Sequence, residues 1–393
     1  MMRREDFIEP LHGELVPSPQ GLLAFVPAPL PPALDWDSEL VNALSRADAR
    51  LSELSGIGSQ LPNPHLLIAQ YMRQEAVLSS RIEGTQTNLA GLFEDELRPM
   101  EVDVSADRSD AREVGNYVRA MEFGIERLAS LPLSLRLVRE LHAHLMAGVR
   151  GGDRNPGEFR NHQNFIGTSG SRIETATFVP PPPDRLKECL SAWEKFLHER
   201  DTLPDLIQCA LMHAQFETIH PFADGNGRVG RLLITLFLIE RGRLSAPLLY
   251  LSAYIEASRT DYYDLLQRAR TRNDWRRWLL YFLSGVEVTA RLAAEQAISL
   301  LALRERYRAR FVGDGTVLAL IDALFENPLT TARHAARAVA KSDPTARSAI
   351  RKLEGEGWLR ESTGAKWGKV YVAREVMALL QKPSADLRRR HVE

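Results

Sequence analysis

The twelve residues His220-Pro-Phe-Ala-Asp-Gly-Asn-Gly-Arg-Val-Gly-Arg231 hold the chain's densest set of groups able to do chemistry. Gly225-Asn226-Gly227 offers three successive, sterically open backbone amides at what reads as a helix start, where unpaired N–H groups and the helix dipole favour an anion. Arg228 and Arg231, three apart on the first turn, share a side of that helix and can clamp adjacent phosphates with forked, charge-assisted bonds. Asp224 is the only carboxylate of the loop and a suitable oxygen ligand for a Mg²⁺ that bridges phosphate oxygens. His220 adds an imidazole able to take a proton from an incoming hydroxyl at neutral pH, and Phe222 is expected to enter the core and pin the loop. Base, anion hole, metal ligand and clamps together suit phosphoryl or nucleotidyl transfer by positioning and electrostatics. A Gly-Asn-Gly turn alone, or one His at a helix end, is ordinarily no more than a turn or a satisfied polar residue.

The whole segment resembles the Fic family motif His-x-Phe-x-Asp/Glu-Gly-Asn-Gly-Arg-x-x-Arg at every specified position. The resemblance implies a helical Fic core with a β-hairpin flap and, as activity, AMPylation: transfer of AMP from ATP to a Ser, Thr or Tyr hydroxyl of a protein. It implies His220 as general base, Asp224 as Mg²⁺ ligand, and an ATP site over Gly225, Asn226, Gly227, Arg228, Val229, Gly230 and Arg231. Within that site Gly225 to Gly227 would hold the α- and β-phosphates, and Arg228 and Arg231 the β- and γ-phosphates. Tyr263 falls where the family lines its nucleoside pocket, whereas an Asn often found seven residues later is Arg270 here.

Ser79-Ser-Arg-Ile-Glu83-Gly84 resembles the family's inhibitory motif Ser/Thr-x-x-x-Glu-Gly/Asn. A carboxylate delivered to Arg231 would satisfy the guanidinium that otherwise grips the γ-phosphate. Ser79, Glu83 and Gly84 are therefore the expected regulatory residues, with the brake N-terminal to the core. The same Glu can align a water for removal of AMP in some relatives, so both directions of the reaction stay open. The stretch between Asn164 and Pro183 matches the family's flap, expected to pair main chain to main chain with a target protein.

These groups need elements to carry them. The proline-rich residues 16 to 34 are expected to lie as an extended arm, since proline lacks the amide donor a helix requires. From Ser38 onward, apolar residues at three-to-four spacing predict several helices before residue 100, and a charged stretch from Val102 to Glu113 leads to helical patterns at Tyr117 to Leu131 and Ser134 to Met146. Phe159 to Val179 reads as a hairpin projecting from a helical body. Helical pattern returns at Asp184 to Glu199 and Pro204 to Ile219, then after the His220 loop as an almost wholly apolar run to Ile239, which belongs in a core. A long helix near residues 285 to 311 ends at the linker Val312-Gly-Asp-Gly315.

Beyond the linker, three helices and a terminal pair of short strands describe a winged helix-turn-helix. Ala346, Ile350 and Leu353 make the inward stripe of its third helix and leave Arg347 and Arg351 outward, with Lys366 and Lys369 at the wing tip. From Thr331 to the end there are fourteen Lys/Arg against seven Asp/Glu, a footprint that permits DNA contacts although the chain's net charge is only −1. The expected division is 1–115, an N-terminal arm and helices with the inhibitory helix; 116–311, the Fic domain; 312–380, the winged helix-turn-helix; and 381–393, a basic tail, of which Arg388 to Arg390 is expected to be disordered. Two cysteines without framework spacing, no apolar leader and no run of eighteen apolar residues predict a cytoplasmic protein with no membrane contact. Self-modification and a homodimer are further expectations, and a competing reading makes the chain a DNA-binding regulator whose Fic site senses nucleotide.

Overall fold

The computed structural model describes residues 2–390 apart from 19, 61–63, 98–105, 150, 151, 153, 154, 168–171, 173, 174 and 365. The chain is mainly α. Helices α1 (Ser38–Gln60), α2 (Pro64–Ile82), α3 (Leu89–Leu97) and α4 (Ala106–Leu128) come first, followed by α5 (Leu135–Leu145), α6 (Pro183–His198), α7 (Asp205–Ile219) and α8 (Asn226–Glu240). Then come α9 (Ser252–Ala257), α10 (Arg259–Arg272) and α11 (Trp275–Arg310), a 36-residue helix that packs along α1.

One large hydrophobic cluster runs through all of these helices. At its centre, α7 is buried at every position from Leu206 to Ile219, and α8 is buried from Arg228 to Leu238. A helix without a polar face gains from burial on all sides, so α7 and α8 pack against each other and the remaining helices cover them. The expected division at residue 115 falls inside α4. Its N-terminal charges include Asp110 and Glu113, and their bonding partners lie on other elements, so they read as a linker in the sequence.

The arm is a hairpin. Strands β1 (Gly13–Pro17) and β2 (Leu23–Pro27) pair antiparallel with Leu15 opposite Phe25. Each strand closes on a proline, the position where a missing amide costs the ladder least. The Phe25 amide donates to the Val179 carbonyl at 3.0 Å, and Phe7, Phe25, Ala176, Phe178 and Val179 form a second small core. The stretch expected as a projecting hairpin shows, among its described residues, one antiparallel bridge, Ile166 with Phe178. The intervening residues 168–171, 173 and 174 lie outside the described ones.

After a turn at residues 311–314, α12 (Gly315–Glu326), β3 (Leu329–Thr331), α13 (Ala332–Ala338), α14 (Asp343–Gly355), β4 (Leu359–Glu361) and β5 (Val370–Ala373) follow, with an antiparallel sheet in the order β3-β5-β4. Asp314 and Thr331 cap α12 and α13 through their side chains. The chain does not trail off at 381: α15 (Arg374–Arg390) continues as one helix against α11, with Val376, Leu380 and Leu387 buried. Cys189 and Cys209 are buried free thiols, and among the described residues no helix is long and apolar enough to cross a membrane.

Candidate active site

His220 is the C-cap of α7 and sits in the left-handed region at φ 49°. Pro221 has no amide with which to continue the helix, and a conformation disfavoured for a residue with a Cβ needs external support. Arg160 supplies it. Its guanidinium donates to the carbonyls of His220 (2.9 Å), Ile219 (3.3 Å), Pro181 (2.6 Å) and His162 (3.1 Å), so one buried side chain joins the end of α7 to both sides of the 162–181 stretch. Asn164 Nδ2 adds bonds to the carbonyls of His220 and Phe222. Burial, with the nearby positive charges of Arg160 and Arg270, pushes the His220 imidazole down to about 3, so at neutral pH it is uncharged. Its Nδ1 is buried with no hydrogen-bond partner among the described residues.

The loop from His220 to α8 is closed by Asn226, whose Oδ1 accepts from the Phe222 amide at 2.8 Å and whose Nδ2 donates to the Phe222 carbonyl at 2.9 Å. Phe222 is fully buried, as expected, and stacks on His142 at 3.8 Å between ring centres. His142 Nδ1 faces the Gly157 amide, an N–H donor, so its Nε2 carries the proton and donates to the Asp224 carbonyl at 3.1 Å. Burial pushes this imidazole down to about 4, preserving the neutral tautomer that the stack and both bonds need.

Gly225 takes φ 75° as N-cap of α8, and a Cβ there would lie 2.9 Å from Met146 Sδ. Its amide donates to Asp224 Oδ1 at 2.6 Å. The amides of Asn226, Gly227 and Arg228 have no hydrogen-bond partner among the described residues. They form the open first turn of a buried helix, a ready anion site. The Asp224 side chain is 38% exposed at its rim, and its Oδ1 also stands 3.9 Å from Arg228.

The chain places an anion of its own over this turn. Glu83, just past α2, bonds Arg231 Nη2 through Oε1 at 2.7 Å, and a Cβ added to Gly227 would come within 2.2 Å of that same oxygen. Arg231 also donates to Ser79 Oγ (2.8 Å) and to the Ser79 carbonyl (3.0 Å). Burial by itself would raise the Glu83 carboxyl. The charge and hydrogen bond of Arg231, with Arg228 and His220 behind it, outweigh burial and hold Glu83 below the ordinary carboxylate range. Gly84 follows at φ 100° and turns the chain out of the helix.

Arg228 diverges from Arg231. It pairs with Glu113 of α4 at 3.2 Å, both side chains almost fully buried. Val229 is buried in the main core, and Gly230 faces Glu217 and His213 of α7, where a Cβ would lie 2.5 Å from Glu217 Oε1. These two expected ATP-site residues therefore pack helix on helix, away from the open amides. Tyr263 is 40% exposed, near enough to Glu83 and Arg231 for their charges to act on its phenol. Arg270 is buried, donates to Thr218 Oγ1 at 3.0 Å and lies over the Phe178 ring.

His142, Glu113 and Arg160 belong to the site and were not foreseen in the sequence. Their partners stand 82, 115 and up to 60 residues away and are largely backbone atoms, which leave no local pattern. Glu217 is a fourth such residue: burial pushes its carboxyl up to about 7, and its Oε1 has no partner among the described residues.

Residues 132–238, which span α5 to α8 and the whole loop, match the family described as Fic/DOC family, and residues 41–126 match Fic/DOC family N-terminal. The chain carries a Fic domain. A probable protein adenylyltransferase from Aquifex aeolicus is 38% identical over 84 residues, 21% of this chain and 26% of that protein. The protein adenylyltransferase Fic of Drosophila mojavensis is 28% identical over 201 residues, 50% of this chain and 36% of that protein. The chain thus spans little more than a third, at most, of these curated relatives. The crystal structure of a Fic family protein from Desulfovibrio desulfuricans superposes with a TM-score of 0.57 at 22% identity, covering 88% of this chain and 98% of that one. A Fic domain containing signaling protein from Bacteroides thetaiotaomicron gives 0.50 at 18% identity, over 67% of this chain and 96% of that one. These two likenesses concern the fold, and the first extends it well beyond the Fic domain.

Proposed function

We propose that this chain is a protein adenylyltransferase, moving AMP from ATP to a hydroxyl side chain of a target protein, and that Glu83 holds it inactive. One observation carries the reading: a neutral His220, three amides at the start of α8 unpartnered among the described residues and the buried Arg231 converge on one small volume, and the chain's own Glu83 lies over those amides. With Glu83 withdrawn, the triphosphate lies over Asn226 to Arg228, and Arg231 takes the γ-phosphate with the same guanidinium nitrogens. The target hydroxyl oxygen bonds the α-phosphorus as the bond from that phosphorus to the β-bridging oxygen breaks. Pyrophosphate leaves, and the hydroxyl proton passes to the His220 imidazole. Asp224, whose side chain is 38% exposed at the rim, is the residue that would hold a Mg²⁺ with substrate phosphates; such an ion would neutralise phosphate charge.

The target segment pairs along the 164–183 stretch, where the Ile166–Phe178 bridge is secured to the site by Arg160. Residues 312–380 we infer to be a winged helix-turn-helix, supported by the α12, α13 and α14 succession and the β3-β5-β4 sheet.

The test is incubation of purified protein with labelled ATP and Mg²⁺. Little self-labelling is expected of the unaltered chain, at least about tenfold more of Glu83→Gly, and none once His220→Ala is added to it. Label persisting in the double variant removes the proposed base. No label on Glu83→Gly, alone or with a lysate supplying targets, favours a site that only senses nucleotide, and an added mass other than AMP overturns the assignment.

A further inference from the structure

Charge is distributed unevenly over this nearly neutral chain. Many arginines of the helical body find carboxylates, as Arg73, Arg127, Arg276 and Arg304 do. In the module after α12 the pattern changes: Arg337, Arg347, Arg351, Arg360, Lys366 and Lys369 are exposed and make no ion pair among the described residues. Cations left unpaired in one region raise the local potential without gaining anything for the fold.

The placement of these charges follows from the elements. On α14, Ala346, Ala349, Ile350 and Leu353 are buried, so helical spacing puts Arg347 and Arg351 one turn apart on the outer face. Burial raises the Tyr371 phenol of β5, and the charges of Glu354 and Arg347 on α14 and of Glu361 on β4 all reach it, which brings that helix face and the β4–β5 hairpin onto one side of the module. At the hairpin turn Trp367 is 88% exposed between Lys366 and Lys369. Carboxylates nearby offset only part of this charge. Glu361 accepts from the amides of Thr363 and Gly364 and feels the charge of Lys369, Asp343 is exposed at the start of α14, and half-buried Glu354 follows Arg351 by one turn on the same side of that helix. The opposite side of the module, α12 and β3, packs on α2 and α3, so the basic side is the free one.

We propose that this face binds duplex DNA, with α14 entering the major groove and the β4–β5 wing, carrying Lys366, Trp367 and Lys369, reaching the adjacent backbone and minor groove. An α-helix fits the width of a B-DNA major groove, guanidinium groups one turn apart on its outer face meet phosphates or base edges, and an apolar plane between two lysines suits a groove-entering wing. A partner protein would require an apolar centre inside a polar rim, and this face has charge with a single exposed aromatic. The proposal is independent of adenylyl transfer: it uses no residue of the Fic motif.

The full chain is titrated against a labelled mixed-sequence duplex of about 30 base pairs, read by fluorescence anisotropy. Four phosphate contacts predict a log–log salt slope near −3.6, a loss of about a hundredfold in affinity between about 50 and about 200 mM salt. Arg347→Ala with Arg351→Ala, and separately Lys366→Ala with Lys369→Ala, should each weaken binding and cut the slope by about 2. Being exposed, these substitutions should leave the thermal midpoint unmoved, and His220→Ala should bind as the unaltered chain does. No binding at about 50 mM salt, or two double variants that bind unchanged, overturns the proposal. Equal affinity for polyglutamate, lost in the same variants, does so too by showing a general polyanion surface.

Discussion

Arg228 and Arg231 leave one turn of α8, yet carboxylates from different parts of the chain hold them, Glu113 of α4 and Glu83 beyond α2. The two pairs differ in kind. Glu83 is one-third exposed and Arg231 keeps two bonds to Ser79 without it, so Glu83 can leave at modest cost. Glu113 is almost fully buried, and its removal strands a guanidinium whose Nε already lacks a partner. Glu113→Ala is therefore expected to cost about 3–5 kcal/mol in urea denaturation, with part of the loss restored by saturating ATP as phosphate replaces carboxylate. An unchanged unfolding midpoint would show that Arg228 is hydrated rather than paired. Glu83 could be read in the sequence because its motif is contiguous; Glu113 could not, because helix α4 presents it across a gap of 115 residues.

Among elements, the end of α7 matters most, because it sets where the imidazole stands. A helix C-terminus leaves carbonyls unpaired, and Arg160 gathers two of them together with two from the 162–181 stretch. Arg160 touches no reacting atom in the proposed scheme and is a positioning residue. Lysine keeps the charge but not the planar fork. Arg160→Lys in the Glu83→Gly background should lower kcat by about a hundredfold through misplacement of His220, while ATP affinity measured separately stays nearly unchanged. A parallel fall in ATP affinity would move Arg160 from aligning the base to shaping the nucleotide site. Helices α7 and α8 were evident from their apolar runs, whereas β1 and β2 were hidden by prolines that mark strand ends here. The hairpin docks through Phe25, which meets Phe178, 153 residues away in sequence.

Over the whole molecule, burial of ionisable groups in a helical core ties stability to pH. His213 and His220 are both held near 3 by burial, well below the 6.5 of an exposed imidazole. As pH falls below that value the unfolded chain takes up protons that the folded chain refuses, so these residues' contribution, complete above about 6.5, drains away toward acid. Glu217 acts in the opposite sense. With its carboxyl raised to about 7, its contribution is complete below about 4.5 and is lost as pH rises through 7. Together with His142, held near 4, they predict greatest stability slightly above pH 7 and a loss of roughly 3 kcal/mol per pH unit near pH 5, measurable as a shift of the urea midpoint. His213→Gln should flatten the acid limb. An acid limb of unchanged slope in that variant would mean that His213 is solvated in the native state.

The order of residues along the chain determined the identity of the loop, the Ser79-to-Gly84 motif, the apolar central helices and the basic C-terminal module, because each is a local pattern: a contiguous motif, a helical period or a composition. Only the tertiary structure decided which groups hold those patterns in working geometry. His142 beneath Phe222, Arg160 behind His220, Glu113 on Arg228 and Glu83 lying over the amides of α8 are pairings between distant segments. Packing density and the need to satisfy buried polar groups select such pairings, and neither acts until the chain is folded.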